Sequence, residues 1–155
     1  MRILVLSDSH GDVISLKMAI EAEKTAQAVI FLGDGTNDIE ETQSLLRNKK
    51  TIIVGGNCDS AFAPYPKKAI DVFCGKKIYC THGYAEHVKT GLQMLTTKAN
   101  EEGCDIAVYG HTHTPFTSYE NGLYIMNPGS VRQNSYGVID IEPNGIICFT
   151  KKIIT

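Results

Sequence analysis

The chain has no basic tract: fifteen Lys and Arg stand against seventeen Asp and Glu, a formal net charge of −2 over 155 residues. That balance supplies no long-range field to draw the protein onto duplex nucleic acid or anionic lipid. Neither a long nucleic acid nor a membrane is therefore the expected partner; a small or locally bound anionic substrate is compatible with the same balance. Cysteine is scarce and unpaired. Cys58, Cys74, Cys80, Cys104 and Cys148 are odd in number and none forms Cys-x-x-Cys, which argues against a disulfide framework and a zinc ribbon. Cys80 and Cys104 sit beside apolar runs and read as reduced core thiols. The opening MRILVLSDSHGD has only a short apolar run, broken at Ser7 and Asp8; it reads as a strand rather than a secretory signal, and the expected location is cytoplasmic. There is no fixed-period repeat, low-complexity stretch or Pro/Gly/Ser-rich linker. The expectation is a single domain over residues 1–155, a length that buries roughly two thirds of the unfolded surface.

What is present is alternation. RILVLS (2–7), AVIFLG (28–33) and TIIVGG (51–56) read as buried strands. VISLKMAIEAEK (13–24) reads as a helix capped by Asp12, and DIEETQSLL (38–46) as a second, opened by a capping box of Asn37 with Glu40. Strands alternating with helices imply parallel pairing. After Pro64 and Pro66, AIDVF and KIYCT flank CGKK as a hairpin. Residues 87–103 read as a helix stopped by Gly103, and DIAVYG (105–110) as another buried strand. From Phe116 on, FTSYE, LYIMN, YGVIDIE and IICFTKKII with turns NG and PNG read as a meander of successive antiparallel strands. The expected fold is α/β: a two-sheet sandwich, face to face, flanked by helices.

The chemistry sits at the strand ends. ILVLS is followed by Asp8 and His10, VIFLG by Asp34, TIIVGG by Asn57, KIYCT by His82, and IAVYG by His111 and His113. Ligands of such sheets bind outside the carboxyl ends of parallel strands, so these residues would converge in one crevice. A lone His-x-His is ordinarily a polar turn, but in extended chain both rings face one side. Imidazole, carboxylate and one amide oxygen suit Mn, Fe, Zn, Co or Ni better than Mg or Ca. Seven candidates exceed the needs of one ion. Two ions about 3.5–4 Å apart, sharing a carboxylate, would use them all and form the arrangement that clamps a phosphoryl group.

DSH (8–10), GD (33–34), GN (56–57), HG (82–83) and GHTH (110–113) stand in the order and approximate spacing of the calcineurin-like metallophosphoesterases. The resemblance spans essentially the whole chain and is nearest to the small bacterial and archaeal phosphodiesterase branch, which also carries NPGS (here 127–130) before its last strands. It implies that Asp8, His10 and His113 hold one divalent ion, that Asn57, His82 and His111 hold the other, and that Asp34 bridges them, with Mn the first expectation. It implies a phosphodiesterase in which a metal-bridging hydroxide attacks phosphorus in line, with Asn57, Cys58 and His82 as the catalytic set and a small phosphodiester as substrate. Family members often self-associate, so a homo-oligomer is within expectation. A scaffold branch of the same fold, the small retromer subunit, has a degraded site; here every ligand position is filled.

Other residues keep two readings. His87 matches no motif and reads as a solvated residue. Asn127 and Ser130 either form a turn or approach the site, and Arg132 either lies on the surface or reaches a substrate phosphate. Position 58, usually His in the superfamily, is Cys here, followed by the expected acid, Asp59.

Overall fold

The computed structural model describes residues 1–155. Ten strands form two five-stranded sheets. The first has the order β10-β9-β1-β2-β3 and comprises β1 (Arg2–Leu6), β2 (Ala28–Phe31), β3 (Lys50–Ile53), β9 (Ser135–Glu142) and β10 (Gly145–Lys152). The second runs β4-β5-β6-β8-β7, from β4 (Lys68–Phe73), β5 (Lys76–Thr81), β6 (Ile106–Val108), β7 (Phe116–Glu120) and β8 (Leu123–Asn127). β1, β2 and β3 are parallel in one sheet, and β5, β6 and β8 in the other.

Alternation along the strands builds the layers, because successive side chains leave opposite faces. Ile3 and Val5 of β1 face the other sheet, joining Ile30, Ile78, Cys80, Val108 and Met126 in the central core. Leu4 and Leu6 face outward beneath α1 (Val13–Ala22), against Leu16, Ala19 and Ile20. On the far side, α4 (Gln93–Glu101) lays Leu95 and Ala99 over Tyr79, Ala107 and Ile125. Helices thus cover both outer faces, as the sequence pattern predicts. All five cysteines are free thiols, with Cys80 and Cys104 buried. No helix is long and apolar enough to cross a membrane.

Asp12 caps α1 through its carboxylate and the Ser15 amide, 3.0 Å. Three other expectations are corrected. The single helix over 38–46 is two short ones, α2 (Thr36–Glu40) and α3 (Gln43–Leu46), and no Asn37–Glu40 box forms, because Gly35 takes the N-cap position. The helix over 87–103 begins only at Gln93: His87 has a left-handed φ of 51° and Gly91 a φ of 153°, neither compatible with a continuing helix. The four-strand meander is two hairpins in different sheets. β7–β8 joins β6 and β9–β10 joins β1, with residues 128–134 crossing between them. Local alternation looks alike in both cases, and only tertiary pairing distinguishes them.

A buried ionic network ties the first sheet to α1. Glu23, 2% exposed, accepts from Arg2 Nη1 (3.1 Å), Lys151 Nζ and the Tyr136 hydroxyl (3.2 Å), while Arg2 holds Asp140 with two further bonds. Burial pushes the Glu23 carboxyl up, but Lys151, Tyr136 and Arg2 outweigh it and hold it below the ordinary value of 4.5. A depressed carboxylate contributes stability that is present above its unfolded pKa and is lost as pH falls through the folded one. Glu23→Gln is expected to cost about 1–3 kcal/mol at pH 7, the scale of a hydrogen bond to a charged group. Urea midpoints measured from pH 7 down to about 3 should fall less steeply in the variant; equal slopes would remove Glu23 from the acid response.

Candidate metal centre

The carboxyl ends of the parallel strands of both sheets meet at one rim. β1 delivers Asp8 and His10, β2 Asp34, β3 Asn57, β5 His82, and β6 His111 and His113. The loops interlock through their backbones: the Asp8 amide donates to Gly33 O (3.0 Å), His10 to Asp34 O (3.1 Å) and Gly110 to His82 O (2.9 Å). The approach is close enough that a Cβ on Gly33 would lie 2.4 Å from the Gly56 nitrogen. Only glycine permits that contact and the φ of 94° found at Gly33.

The side chains fall into overlapping groups. Asp8, His10 and His113 place one ligand atom each within 4.8 Å of one another; Asp34, His82 and His111 form a second such group, and His10, Asp34 and Cys58 a third. Asp34 Oδ2 lies between the first two, 3.3 Å from His82 Nε2 and 3.8 Å from His10 Nε2. His113 Nε2 is 3.1 Å from Asp8 Oδ1 and 3.2 Å from His10 Nε2. Asn57 and Cys58 are exposed at the rim, with the Asn57 amide 3.5 Å from Cys58 Sγ.

Two observations test whether divalent ions fit. Asp8 Oδ1 and His82 Nε2 are buried yet have no hydrogen-bond partner; they face neighbouring candidate ligands at short range without bonding geometry. Buried polar atoms left this way are costly unless something else satisfies them. The outer contacts also orient them. His82 Nδ1 lies 2.7 Å from Leu32 O, a contact that places the proton on Nδ1 and leaves Nε2 as a lone-pair donor. Asp8 Oδ2 accepts from the Ser7 hydroxyl (2.6 Å) and the His111 amide (3.1 Å), leaving Oδ1 free. The donor set fits.

The electrostatics follow. Burial pushes the Asp34 carboxyl up, but His82 and the Cys58 amide, 2.8 Å from Oδ1, hold it well below the carboxylate range. Burial holds His111 below the ordinary imidazole value, which favours its neutral ring; at His82 burial is outweighed by Asp34 and Asp8, which hold it above that value, so an ion bound there displaces a proton.

Backbone strain concentrates here as well. Asp8, His10, Asp34, His111 and His113 all have left-handed φ, between 44° and 68°. Side chains in that region cost free energy, and such residues cluster where surrounding structure holds a site in place. The sequence pattern carries only a weak sign of this, the glycines beside His10, Asp34 and His111.

Several residues that sequence reasoning left unassigned brace these loops. Asp59 accepts four backbone amides: Asp34 (2.7 Å) and Gly56 (2.7 Å) on one oxygen, Gly35 (2.8 Å) and Thr36 (2.9 Å) on the other. It thereby caps α2 from a different loop, which is why no local capping box is needed. Burial pushes its carboxyl up, and the four amides outweigh that and hold it low. Asp38 accepts the Ser9 hydroxyl and the Gly11 amide beside His10. Asn127 donates to Gly110 O and the Thr112 hydroxyl, and Ser130 to Asp8 O (2.7 Å), so both support the ligand loops from behind. Arg132 Nη1 reaches His10 O at 3.3 Å from an exposed position, and His87 is exposed. An amide at position 59 offers one oxygen and forces its NH2 against two amide donors. Asp59→Asn should therefore destabilise by roughly 2–4 kcal/mol, and an unfolding free energy from urea titration lowered by less than about 0.5 kcal/mol would refute the clamp.

A family model for the calcineurin-like phosphoesterase superfamily domain matches residues 1–144. The chain belongs to the calcineurin-like phosphoesterase superfamily. "Probable metallophosphoesterase YsnB" of Bacillus subtilis is 28% identical, over 92% of this chain and 85% of its own. "Phosphodiesterase YfcE" of Escherichia coli is 26% identical, over 99% and 95% respectively. Among solved structures, Vps29 of Entamoeba histolytica, crystallised in complex with zinc, superposes with a TM-score of 0.74 over 99% of this chain and all of that one, at 20% identity. That likeness concerns the fold alone. As a calcineurin-like phosphoesterase, the chain gathers groups of candidate metal ligands at its strand ends.

Proposed function

We propose that the protein is a phosphodiesterase working with two divalent ions, Mn the first expectation and Fe, Zn, Ni or Co acceptable to the same donors. Asp8, His10 and His113 would hold one ion, Asn57, His82 and His111 the other, and Asp34 both. The observation that carries the reading is Asp34, whose Oδ2 faces a histidine of each group at 3.3 and 3.8 Å while Oδ1 is pinned by the Cys58 amide. When bound, the ions supply Lewis-acid charge to the phosphoryl oxygens and lower the pKa of water toward neutrality. The chain's own residues do the rest. His82 is fixed in one tautomer, the backbone contacts fix the loops, and the Asn57 amide, exposed at the rim, would stabilise charge developing on a phosphoryl group bound there.

Two measurements test this. Metal analysis of purified protein should find close to two equivalents after loading, and a panel of phosphomonoesters and phosphodiesters should show metal-dependent turnover of diesters. A metal-loaded protein inert on the whole panel would favour a scaffold role. Mn at about a hundred times each Kd should also stabilise the fold by about 2.7 kcal/mol per ion, raising Tm by roughly 5–10 °C for each, reversibly on chelation. A Tm that ignores Mn would count against any ion at this rim.

A further inference from the structure

Beside the proposed centre lies a recess of about 130 Å³ between the loop after β3 and the turn after β5. Asn57 and His82, assigned above to one ion, form part of its wall, and Lys67, Tyr84 and Ala85 are among the residues that form the rest. A group in this recess is therefore contiguous with a phosphoryl group at the metals.

Lys67 is held there through its ammonium and through the residue before it. The Lys67 ammonium donates to Gly56 O (2.9 Å), and the Gly55 amide donates to Pro66 O (2.9 Å). Gly55 leaves room for it, since a Cβ there would sit 3.3 Å from Nζ. Its neighbour Lys68 is paired with Glu102 at 3.1 Å, whereas no carboxylate oxygen lies within ion-pair distance of Lys67. A lysine that satisfies one ammonium hydrogen on a carbonyl keeps two donors and its full charge for something else. A diester carries a single negative charge, and that charge belongs at the ions. Resting on the phosphodiesterase reading, we propose that Lys67 and this recess form a subsite for an ester arm bearing a second anionic group, making Lys67 a specificity-determining residue.

Calorimetric titration of the Mn-loaded protein with methylphosphonate, phosphonoacetate and 3-phosphonopropionate reads the subsite without turnover. The three probes share the phosphonate and differ by a carboxylate and its reach. Wild type should bind the better carboxylate-bearing probe about tenfold more tightly than methylphosphonate. Lys67→Gln should abolish that preference while changing methylphosphonate affinity less than about twofold, and Lys67→Arg should retain most of it. Metal content, measured for each variant, must stay unchanged. Equal affinities in wild type, or a preference that survives in Lys67→Gln, would overturn the subsite. Turnover of bis(4-nitrophenyl) phosphate, measured in parallel, judges the parent reading separately. Selective binding without turnover would remove the phosphodiesterase and keep the subsite, and turnover without selectivity would do the reverse.

Discussion

Asp34→Asn should leave the fold intact and abolish turnover, lowering it by at least about a thousandfold. The two oxygens of this buried side chain, 3% exposed, have different partners. Oδ1 accepts the Cys58 amide at 2.8 Å, and Oδ2 faces His82 and His10. An asparagine can keep its carbonyl on the Cys58 amide. Its NH2 then turns toward the two imidazoles, where it donates hydrogen bonds instead of offering lone pairs. The result is a satisfied, folded protein that has lost its shared carboxylate, so both ions should weaken together. Charge stabilisation by a metal pair is worth several kcal/mol, and each 1.36 kcal/mol is about tenfold in rate. Asp8→Asn offers the contrast: the free oxygen of Asp8, Oδ1, faces the rings of His113 and His10, while Oδ2 only accepts the Ser7 hydroxyl and the His111 backbone amide, so one ion should suffer far more than the other. Mn titration, metal content and diester turnover on both variants decide the point. Two equivalents bound by Asp34→Asn with unchanged affinity and rate would exclude the bridging role.

The site and the fold are legible in the sequence to different depths, for physical reasons. Buried parallel strands have a strong signature, runs such as ILVLS and VIFLG, and their carboxyl ends are where converging polar residues stand out. Asp8, Asp34, His82 and His111 can thus be read together although more than a hundred positions separate the first from the last. Interactions that depend on tertiary pairing leave no such trace. Asp59 reads as a turn residue beside Cys58, yet its carboxylate gathers four amides from two loops. It replaces the local cap that Asn37 and Glu40 would have made, because a half-buried carboxylate brought from another strand end satisfies the orphan amides first. The same reasoning covers 84–92, where apolar spacing continues the α4 pattern but Glu86, 3% exposed, turns in to bond Thr81, Tyr79 and Lys98. The left-handed backbone of the five candidate ligands is likewise invisible to periodicity, which describes regular chain only. In the second half, identical alternation in LYIMN and YGVIDIE sends one strand to each sheet, since pattern states which face is apolar and not which partner covers it.

Cys58→His should shift specificity toward esters with poor leaving groups. In the structure position 58 is exposed at the rim, its amide anchored on Asp34, and its Sγ lies within 4.8 Å of ligand atoms of His10 and Asp34. A side chain there is adjacent to whatever occupies the metals and open to solvent on its other side, where a departing alkoxide would leave. A thiol is a weak hydrogen-bond donor, while an imidazolium donates strongly and an imidazole exchanges protons near neutrality. The wild type should therefore give little proton assistance to an alkoxide, and diesters with nitrophenolate leaving groups, which need none, should be its best substrates. General acid catalysis is typically worth about a hundredfold to ten-thousandfold. The ratio of alkyl to nitrophenyl ester hydrolysis should accordingly rise by at least about a hundredfold in Cys58→His, with nitrophenyl turnover changed much less. Metal content separates this from a new ligand, because an imidazole recruited to an ion would change stoichiometry or affinity. If the ratio stays where it was while two ions remain bound, position 58 does not set the preference, and the shape of the recess beside Lys67 and Tyr84 does.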